Sequence, residues 1–372
     1  MEKKITFFIG SLEEGGAERV VSYLSSYLVD CAYDVSLILY HERDLFYQID
    51  KRVEIITVTK ETGSTNVLKN IRWLRKYFTQ KSSVVVSFLA VFNMMALISL
   101  IGTHTPIIVA DRNDPYFVPS KLFLRVLRNF LYRFANGIVL QTKHNKDYFS
   151  ACIRNKSVVI NNPIDLGAKR GAAIGAEKKD EIVSVGRLMP QKNQTMLIRV
   201  FFEIHKKYPS YKLVIYGEGP MRSELEALIT SLDLHDSVLL PGSEKDIFEK
   251  ICHARIFVLS SDYEGMPNAL AEAMCLGLPC ISTAVSGATD MIENEKNGLL
   301  IEKDCYDDLH NALLRLLEDR DFADRLGEKA LNLNCLLDKS IIAEQWKRYI
   351  LGFCGQASHA SKQKKDIIDH ER

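Results

Sequence analysis

No two cysteines among these 372 residues are spaced CxxC, and none of the eight stands at a metal-ligand spacing from a histidine. Thioredoxin-like redox chemistry and zinc-finger-type sites are therefore not expected. Most of the cysteines stand in apolar runs such as Ile251-Cys252 and Pro279-Cys280-Ile281, which reads as reduced core residues of a cytoplasmic protein. GxxxxGK[ST] is also absent, so no P-loop is expected. The glycines after the first apolar run, Gly10-Ser11-Leu12-Glu13-Glu14-Gly15-Gly16, do not follow GxGxxG, and the second run ends Leu39-Tyr40-His41 without an acid. A dinucleotide site is thereby disfavoured. No secretory leader is read at the start, where Lys4–Ile9 already has strand character. One stretch without charge, Val84 to Ile101, reaches the lower limit for a membrane span. Ser87, Asn93 and Ser99 interrupt it, and a buried strand followed by a buried helix is the preferred reading.

The chain is 47% hydrophobic and 26% charged, ordinary values for a globular protein, and its length suits two domains of about 150 residues. The net charge of +1 conceals a split. Residues 1–165 hold 21 basic and 15 acidic side chains, and residues 66–156 hold 14 basic against 3 acidic. Such a stretch implies an anionic partner: phosphates, acidic lipid or nucleic acid.

Short β-type runs alternate with helical patterns throughout. They are Ile5–Ile9, Val35–Tyr40, Val53–Val58, Val84–Phe88, Ile107–Ala110, Gly137–Leu140 and Val158–Ile160. After a break come Ile182–Val185, Leu213–Tyr216, Val238–Leu240, Ile256–Leu259, Cys280–Ser282 and Gly298–Ile301. The alternation predicts an α/β fold with parallel sheets and crossover helices. The break, Asn161 to Asp180, has the glycines and charges of a linker. The expected organisation is a domain over 1–165, a linker at 166–180, a second domain over 181–340, a helix over 341–354 that packs back, and a disordered tail over 355–372.

Three segments carry candidate chemistry. In Ser260-Ser261-Asp262-Tyr263-Glu264-Gly265-Met266-Pro267-Asn268-Ala269, a buried strand leads to a helix with Pro267 as its expected first residue. Amides around Met266 to Ala269 would then form an anion site at the helix start. Glu264 and Glu272 can each accept hydrogen bonds from a diol. In Gly186-Arg187-Leu188-Met189-Pro190-Gln191-Lys192-Asn193, Arg187 and Lys192 follow a strand and suit a diphosphate. The Gly15-Gly16 turn lets another molecule approach the backbone.

Two helical patterns are basic. Asn66–Lys81 holds Lys69, Arg72, Arg75, Lys76 and Lys81. The other, Ser120–Arg133, presents Lys121, Arg125, Arg128 and Arg133 beside large apolar residues. Adsorption to an anionic membrane surface is expected of the latter; the alternative is that its apolar positions face the core. No nucleic-acid motif is present, and stacking aromatics are not interleaved with the charges, so no nucleic-acid partner is expected.

Taken together, the Gly-Gly turn, the Gly-Arg-Leu…Gln-Lys-Asn segment and the Glu-x7-Glu segment resemble the GT-B glycosyltransferases, within them the retaining family 4, over nearly the whole chain. The resemblance implies two Rossmann-like domains facing across a cleft. It implies that Glu272 binds the donor ribose, and that Glu264 with the segment Gly265, Met266, Pro267, Asn268 and Ala269 holds the sugar. Arg187 and Lys192 would stabilise the departing diphosphate, in place of a metal. Gly15 and Gly16 would contact the phosphates, and the turn from Leu240 to Ser243 would meet the base. Many relatives carry a histidine after the fifth strand, where this chain reads Asp111-Arg112-Asn113; Arg112 is the acceptor-side candidate. The only DxD, Asp319-Arg320-Asp321, lies between helical patterns and reads as a solvated turn.

The expected activity is metal-independent, retaining transfer of a hexose or N-acetylhexosamine from a UDP-sugar, with no cofactor. The acceptor would be a polyprenyl-linked or oligosaccharide glycan for capsule, O-antigen or a similar polymer. The expected location is the cytoplasm, at the inner face of the plasma membrane. The rivals are a nucleotide-sugar epimerase and a non-catalytic, membrane-adsorbed glycan-binding protein.

Overall fold

The computed structural model describes residues 4–13, 15–244 and 246–354, so the tail expected to be disordered lies outside the described residues. The chain forms two compact units: one up to Pro163 joined by the last helix from Lys339, the other Ile164–Asp338.

In the first unit the strands are β1 (Lys4–Ile9), β2 (Asp34–Leu39), β3 (Glu54–Thr57), β4 (Val84–Phe88), β5 (Ile107–Ala110), β6 (Gly137–Leu140) and β7 (Ser157–Val159). All pair in parallel, in the order β3-β2-β1-β4-β5-β6-β7. The second unit holds β8 (Glu181–Val185), β9 (Lys212–Tyr216), β10 (Val238–Gly242), β11 (Ile256–Leu259), β12 (Cys280–Thr283) and β13 (Leu299–Ile301), ordered β10-β9-β8-β11-β12-β13. Every apolar run read as a strand is one. Each sheet winds outward in both directions from one inner pair, β1/β4 and β8/β11, the doubly wound α/β arrangement. Ligands of such sheets bind beyond the carboxyl ends of the strands at that reversal.

The helices used below are α1 (Gly16–Asp30), α2 (Val67–Lys81), α3 (Ala90–Leu100), α4 (Leu122–Leu131), α5 (Gln194–Lys207), α6 (Asn268–Leu276), α7 (Ser286–Met291) and α8 (Lys339–Cys354). Val20, Val21, Leu24 and Leu28 place the buried stripe of α1 at helical spacing, and fully burying each contributes about 1.5–3 kcal/mol. Asn66 caps α2 by accepting from the amides of Leu68 and Lys69, and Leu74 and Phe78 turn inward while Lys69, Arg72, Arg75, Lys76 and Lys81 stay exposed. The charge-free stretch is β4 followed by α3, and no helix among the described residues is long and apolar enough to cross a membrane.

Three expectations need correction. Residues 166–180 are not a free linker: Gly171 and Ala173 donate their amides to the carbonyls of Cys275 and Leu276, and Ala173 is buried. Pro267 is the cap before α6 rather than its first residue, with ψ of 96°, because the loop stays extended until Asn268.

The third concerns α4. Arg128 is fully buried and does not face outward; Arg125 is half-buried and donates to the carbonyl of Tyr116. Only Lys121 and Arg133 of the four basic residues are exposed. The spacing explains it. Arg128 and Leu131 point inward, one helical turn apart, whereas Leu122, Phe123, Val126, Leu127 and Phe130 form the outer face, with Phe123 64% and Val126 62% exposed. The apolar side of α4 is therefore the solvent side.

Candidate active site

In the second unit, strands β8 and β11 are neighbours, and their following loops are fastened together. The Asp262 amide donates to the Gln191 carbonyl at 2.9 Å, Gln191 Nε2 to the Tyr263 carbonyl at 2.6 Å, and Ser260 Oγ to the Lys192 carbonyl at 2.8 Å. Asn193, held in the left-handed region at φ 48°, donates to Asp262 Oδ1 at 3.2 Å and caps α5 through the Met196 amide. Thr283, closing β12, donates to the Ser261 carbonyl at 2.6 Å. Three strand ends thus fix one another through hydrogen bonds from amide, carboxamide and hydroxyl groups.

This frame brings Lys192 and Glu264 together. Lys192 Nζ lies 2.5 Å from Glu264 Oε1, and Ser261 Oγ donates to the same oxygen at 2.8 Å. The side chains are 20% and 11% exposed, open to a ligand yet mostly desolvated. Gly186 makes the lysine's path possible: a Cβ there would stand 3.0 Å from Lys192 Cε. Arg187 is exposed, and its side chain has no hydrogen-bond or ion-pair partner among the described residues. A carboxylate with one ammonium beside it and a second cation nearby can take a ligand that is both polyanionic and polyhydroxylic.

Gly265, Asn268 and Ala269 are half-buried at the head of α6, while Met266 and Pro267 are buried. The first-turn amides of α6 point out of the helix, an anion-favouring end. Gly287 lets α7 approach that loop: its Cβ would fall 2.5 Å from Pro267 Cδ and 2.8 Å from the Gly265 carbonyl oxygen. Glu272 is buried on α6 at 6% exposure rather than on a solvated face. Leu240 is half-buried and Ser243 exposed; the Leu240 carbonyl accepts from Arg222 at 3.2 and 3.3 Å, and Arg222 in turn pairs with Glu218 at 2.6 Å.

In the first unit, Gly16 is exposed as the first residue of α1, and the carbonyl of the extended Gly15 accepts from Tyr47 Oη at 3.0 Å. Arg112, the acceptor-side candidate, is largely enclosed. It is 6% exposed, its guanidinium 5.8 Å from the Phe88 ring and 5.9 Å from the Trp346 ring, with Nη2 donating to Asn162 Oδ1. Burial lowers its pKa to about 9. It packs between β5 and α8, with Nε and Nη1 buried and without a hydrogen-bond partner among the described residues.

Its neighbour Asp111 is buried too, with its pKa raised by desolvation although Arg128 at 3.8 Å and the Tyr132 hydroxyl at 3.0 Å oppose that. Arg128 also donates to the carbonyls of Val118 at 2.6 Å and Pro115 at 3.1 Å, below the rings of Tyr148 and Phe149. Asp319 caps the helix that follows it through the Phe322 amide at 2.8 Å, which accounts for one acid of the DxD.

Sequence reasoning did not find Ser261, Gln191 or Thr283 as supports of the site. Ser261 had a signal, standing three residues before Glu264; the other two act through backbone partners that only the fold supplies.

Comparison with known proteins gives a consistent picture. A family model described as "Glycosyltransferase Family 4" matches residues 14–168, and one described as "Glycosyl transferases group 1" matches residues 169–333. Over 373 residues the chain is 30% identical to the N-acetylgalactosamine-N,N'-diacetylbacillosaminyl-diphospho-undecaprenol 4-alpha-N-acetylgalactosaminyltransferase of Campylobacter jejuni, covering 94% of this chain and all of that one. It is 28% identical over 357 residues to a second enzyme of that organism, the GalNAc-alpha-(1->4)-GalNAc-alpha-(1->3)-diNAcBac-PP-undecaprenol alpha-1,4-N-acetyl-D-galactosaminyltransferase, covering 93% and 98% of the two chains. Among solved structures, Anabaena HepE in complex with UDP superposes with a TM-score of 0.79 at 18% identity, over 94% of this chain and 100% of that one.

Proposed function

Because the chain belongs to the family 4, group 1 glycosyltransferases and has the GT-B fold, we propose that it moves a hexose or N-acetylhexosamine from a UDP-sugar to a polyprenyl-diphosphate-linked glycan, with retention and without a metal. The chain is a glycosyltransferase of lipid-linked glycan or polysaccharide synthesis, which displaces the epimerase and the non-catalytic binding protein.

The observation that carries the finer reading is the 2.5 Å approach of Lys192 Nζ to Glu264 Oε1. A group that stabilises phosphate charge and a group that accepts sugar hydroxyls meet where one glycosyl phosphate can touch both. As the bond from the anomeric carbon to the phosphate oxygen breaks, negative charge grows on the diphosphate. Lys192 and Arg187 supply fixed positive charge there, and the amides at the head of α6 add aligned dipoles. Glu264 accepts hydroxyls of the sugar, and Glu272 those of the ribose. Retention follows if the acceptor hydroxyl enters on the face the diphosphate leaves, giving its proton to the departing phosphate; no protein nucleophile is then needed. The donor class draws support from HepE, crystallised with UDP, and the acceptor class from the two Campylobacter enzymes, whose names specify undecaprenol-linked substrates.

The test is transfer from UDP-N-acetylgalactosamine, UDP-N-acetylglucosamine, UDP-galactose and UDP-glucose to an undecaprenyl-diphosphate glycan, with and without EDTA. One donor is expected to react at equal rate in both. Complete loss in EDTA that Mn²⁺ or Mg²⁺ restores contradicts the metal-free scheme.

Membrane adsorption through α4 belongs to the same reading. Its outer face carries Leu122, Phe123, Val126 and Phe130, each more than half exposed, with Lys121 and Arg133 also exposed. Apolar side chains with basic neighbours suit shallow insertion among anionic headgroups. Phe123→Asp with Val126→Asp is expected to weaken binding to phosphatidylglycerol-rich vesicles by about a hundredfold, roughly a tenfold loss per side chain withdrawn from lipid. Cosedimentation reads this directly, and equal binding by the double variant removes α4 from the membrane.

A further inference from the structure

We infer that Glu264 also sets the selectivity of the site for a sugar-bearing diphosphate over a free one, by competing with phosphate for Lys192. The inference rests on the donor reading above and concerns a different property, the relative affinity for donor and for nucleoside diphosphate.

The competition follows from the contacts. Lys192 Nζ at 2.5 Å from Glu264 Oε1 spends much of its charge on that carboxylate. A phosphate oxygen that takes the ammonium must draw it from an existing ion pair. Glu264 stays in place while the ammonium turns. Glu264 Oε1 is also held by Ser261 Oγ at 2.8 Å, and the Ser261 carbonyl is in turn held by Thr283 at 2.6 Å. The Lys192 stem runs so close to Gly186 that a Cβ there would meet Cε at 3.0 Å, and the Lys192 carbonyl is tied to Ser260 at 2.8 Å. The carboxylate therefore stays beside whatever occupies Lys192. Arg187, exposed and with no carboxylate partner, is the cation outside this competition.

Two ligands meet this arrangement differently. A nucleotide-sugar brings hydroxyls that donate to Glu264, so the carboxylate gains hydrogen bonds as the ammonium turns to phosphate. A free nucleoside diphosphate brings no such hydroxyl, and its terminal phosphate carries roughly one more negative charge at pH 7. That charge faces the Glu264 carboxylate at close range. The exchange compensates the donor and penalises the product, which favours release after transfer.

Isothermal titration with UDP and with the four UDP-sugars tests this on the wild type, on Glu264→Gln and on Lys192→Ala combined with Glu264→Gln. Glu264→Gln is expected to bind UDP about tenfold more tightly while binding UDP-sugar no better, and the gain is expected to vanish in the double variant. Glu264→Ala, which removes the carboxylate without leaving an amide, is expected to change UDP affinity in the same direction. If the wild type binds UDP and both Glu264 variants bind it equally or less tightly, the inference is overturned and the donor reading stands. If the wild type binds neither UDP nor any UDP-sugar, the donor reading fails first and the inference with it.

Discussion

Lys192→Ala is expected to lower turnover at least tenfold, about 1.4 kcal/mol of transition-state stabilisation, with the fold retained. The separation of the two effects comes from how the loop is held. Apart from the Lys192 Nζ–Glu264 pair itself, its fastenings to the loop after β11 use the Gln191 and Lys192 carbonyls, the Gln191 carboxamide and the Asn193 side chain, and these survive the substitution. The lost ion pair is mostly desolvated, so an unpaired Glu264 carboxylate adds a stability cost of its own, but Ser261 still donates to that carboxylate and the loops stay joined. The lost cation, in contrast, stands where the leaving diphosphate gains charge, and removing one such preorganised group costs about 10²–10³ in comparable sites. Lys192→Arg is not expected to restore full activity, because the stem is confined against Gly186 and a planar guanidinium needs more width than an ammonium. Steady-state kinetics with saturating donor, read beside a urea titration, check the claim. Unaltered turnover removes Lys192 from the leaving-group role; lost activity together with lost structure makes it a folding residue instead.

What the sequence disclosed and what it hid divide along a physical line. The strands were legible because each is a short apolar run set between helical patterns, the inner ones such as β4, β5 and β11 buried throughout although β3 and β10 are partly exposed. Arg187, Lys192, Glu264 and Glu272 could be named because each stands within a few residues of a strand end or helix start, so local pattern places it. The resemblance implied that they serve one donor, but local pattern does not show the direct contact of Lys192 with Glu264: the two are 72 positions apart, and only the pairing of β8 with β11 joins their loops. Ser261 and Thr283 were hidden for the same reason, since a hydroxyl's partner is set by the fold. The burial of Arg112 and Arg128 was hidden for a different one. A guanidinium is read as solvated by default, and the groups around it here come from distant segments: Phe88, Trp346 and Asn162 for the first, whose Nε and Nη1 keep no partner among the described residues, and Asp111, Tyr148 and the carbonyls of Pro115 and Val118 for the second. The inward Arg128 also turned the α4 pattern over, leaving the apolar face outside.

That inversion gives the second large effect. Arg128→Met is expected to destabilise the protein by about 3–5 kcal/mol, because it strands a buried acid and two carbonyls at once. Asp111, 1% exposed, would keep the Tyr132 hydroxyl but lose the guanidinium at 3.8 Å, its largest source of opposition to desolvation. Its carboxyl, already raised by burial, would rise further and take up a proton nearer to neutral pH. With its folded-state pKa raised above the unfolded value, the carboxyl favours the folded state when protonated. The variant's deficit should therefore be full and level above the folded pKa and shrink as the pH falls below it. The carbonyls of Val118 and Pro115 would lose their donor whatever the pH, so acid alone should not restore full stability. Adding Asp111→Asn removes the stranded charge and should recover part of the loss at pH 7, leaving the share owed to the 115–118 loop. Urea midpoints of the single and double variants across pH 5 to 8 separate the two shares. Equal destabilisation by the single and double variants at pH 7, with no pH dependence in either, would mean that Arg128 acts through packing on Tyr148 and Phe149 and not as the counter-ion of Asp111.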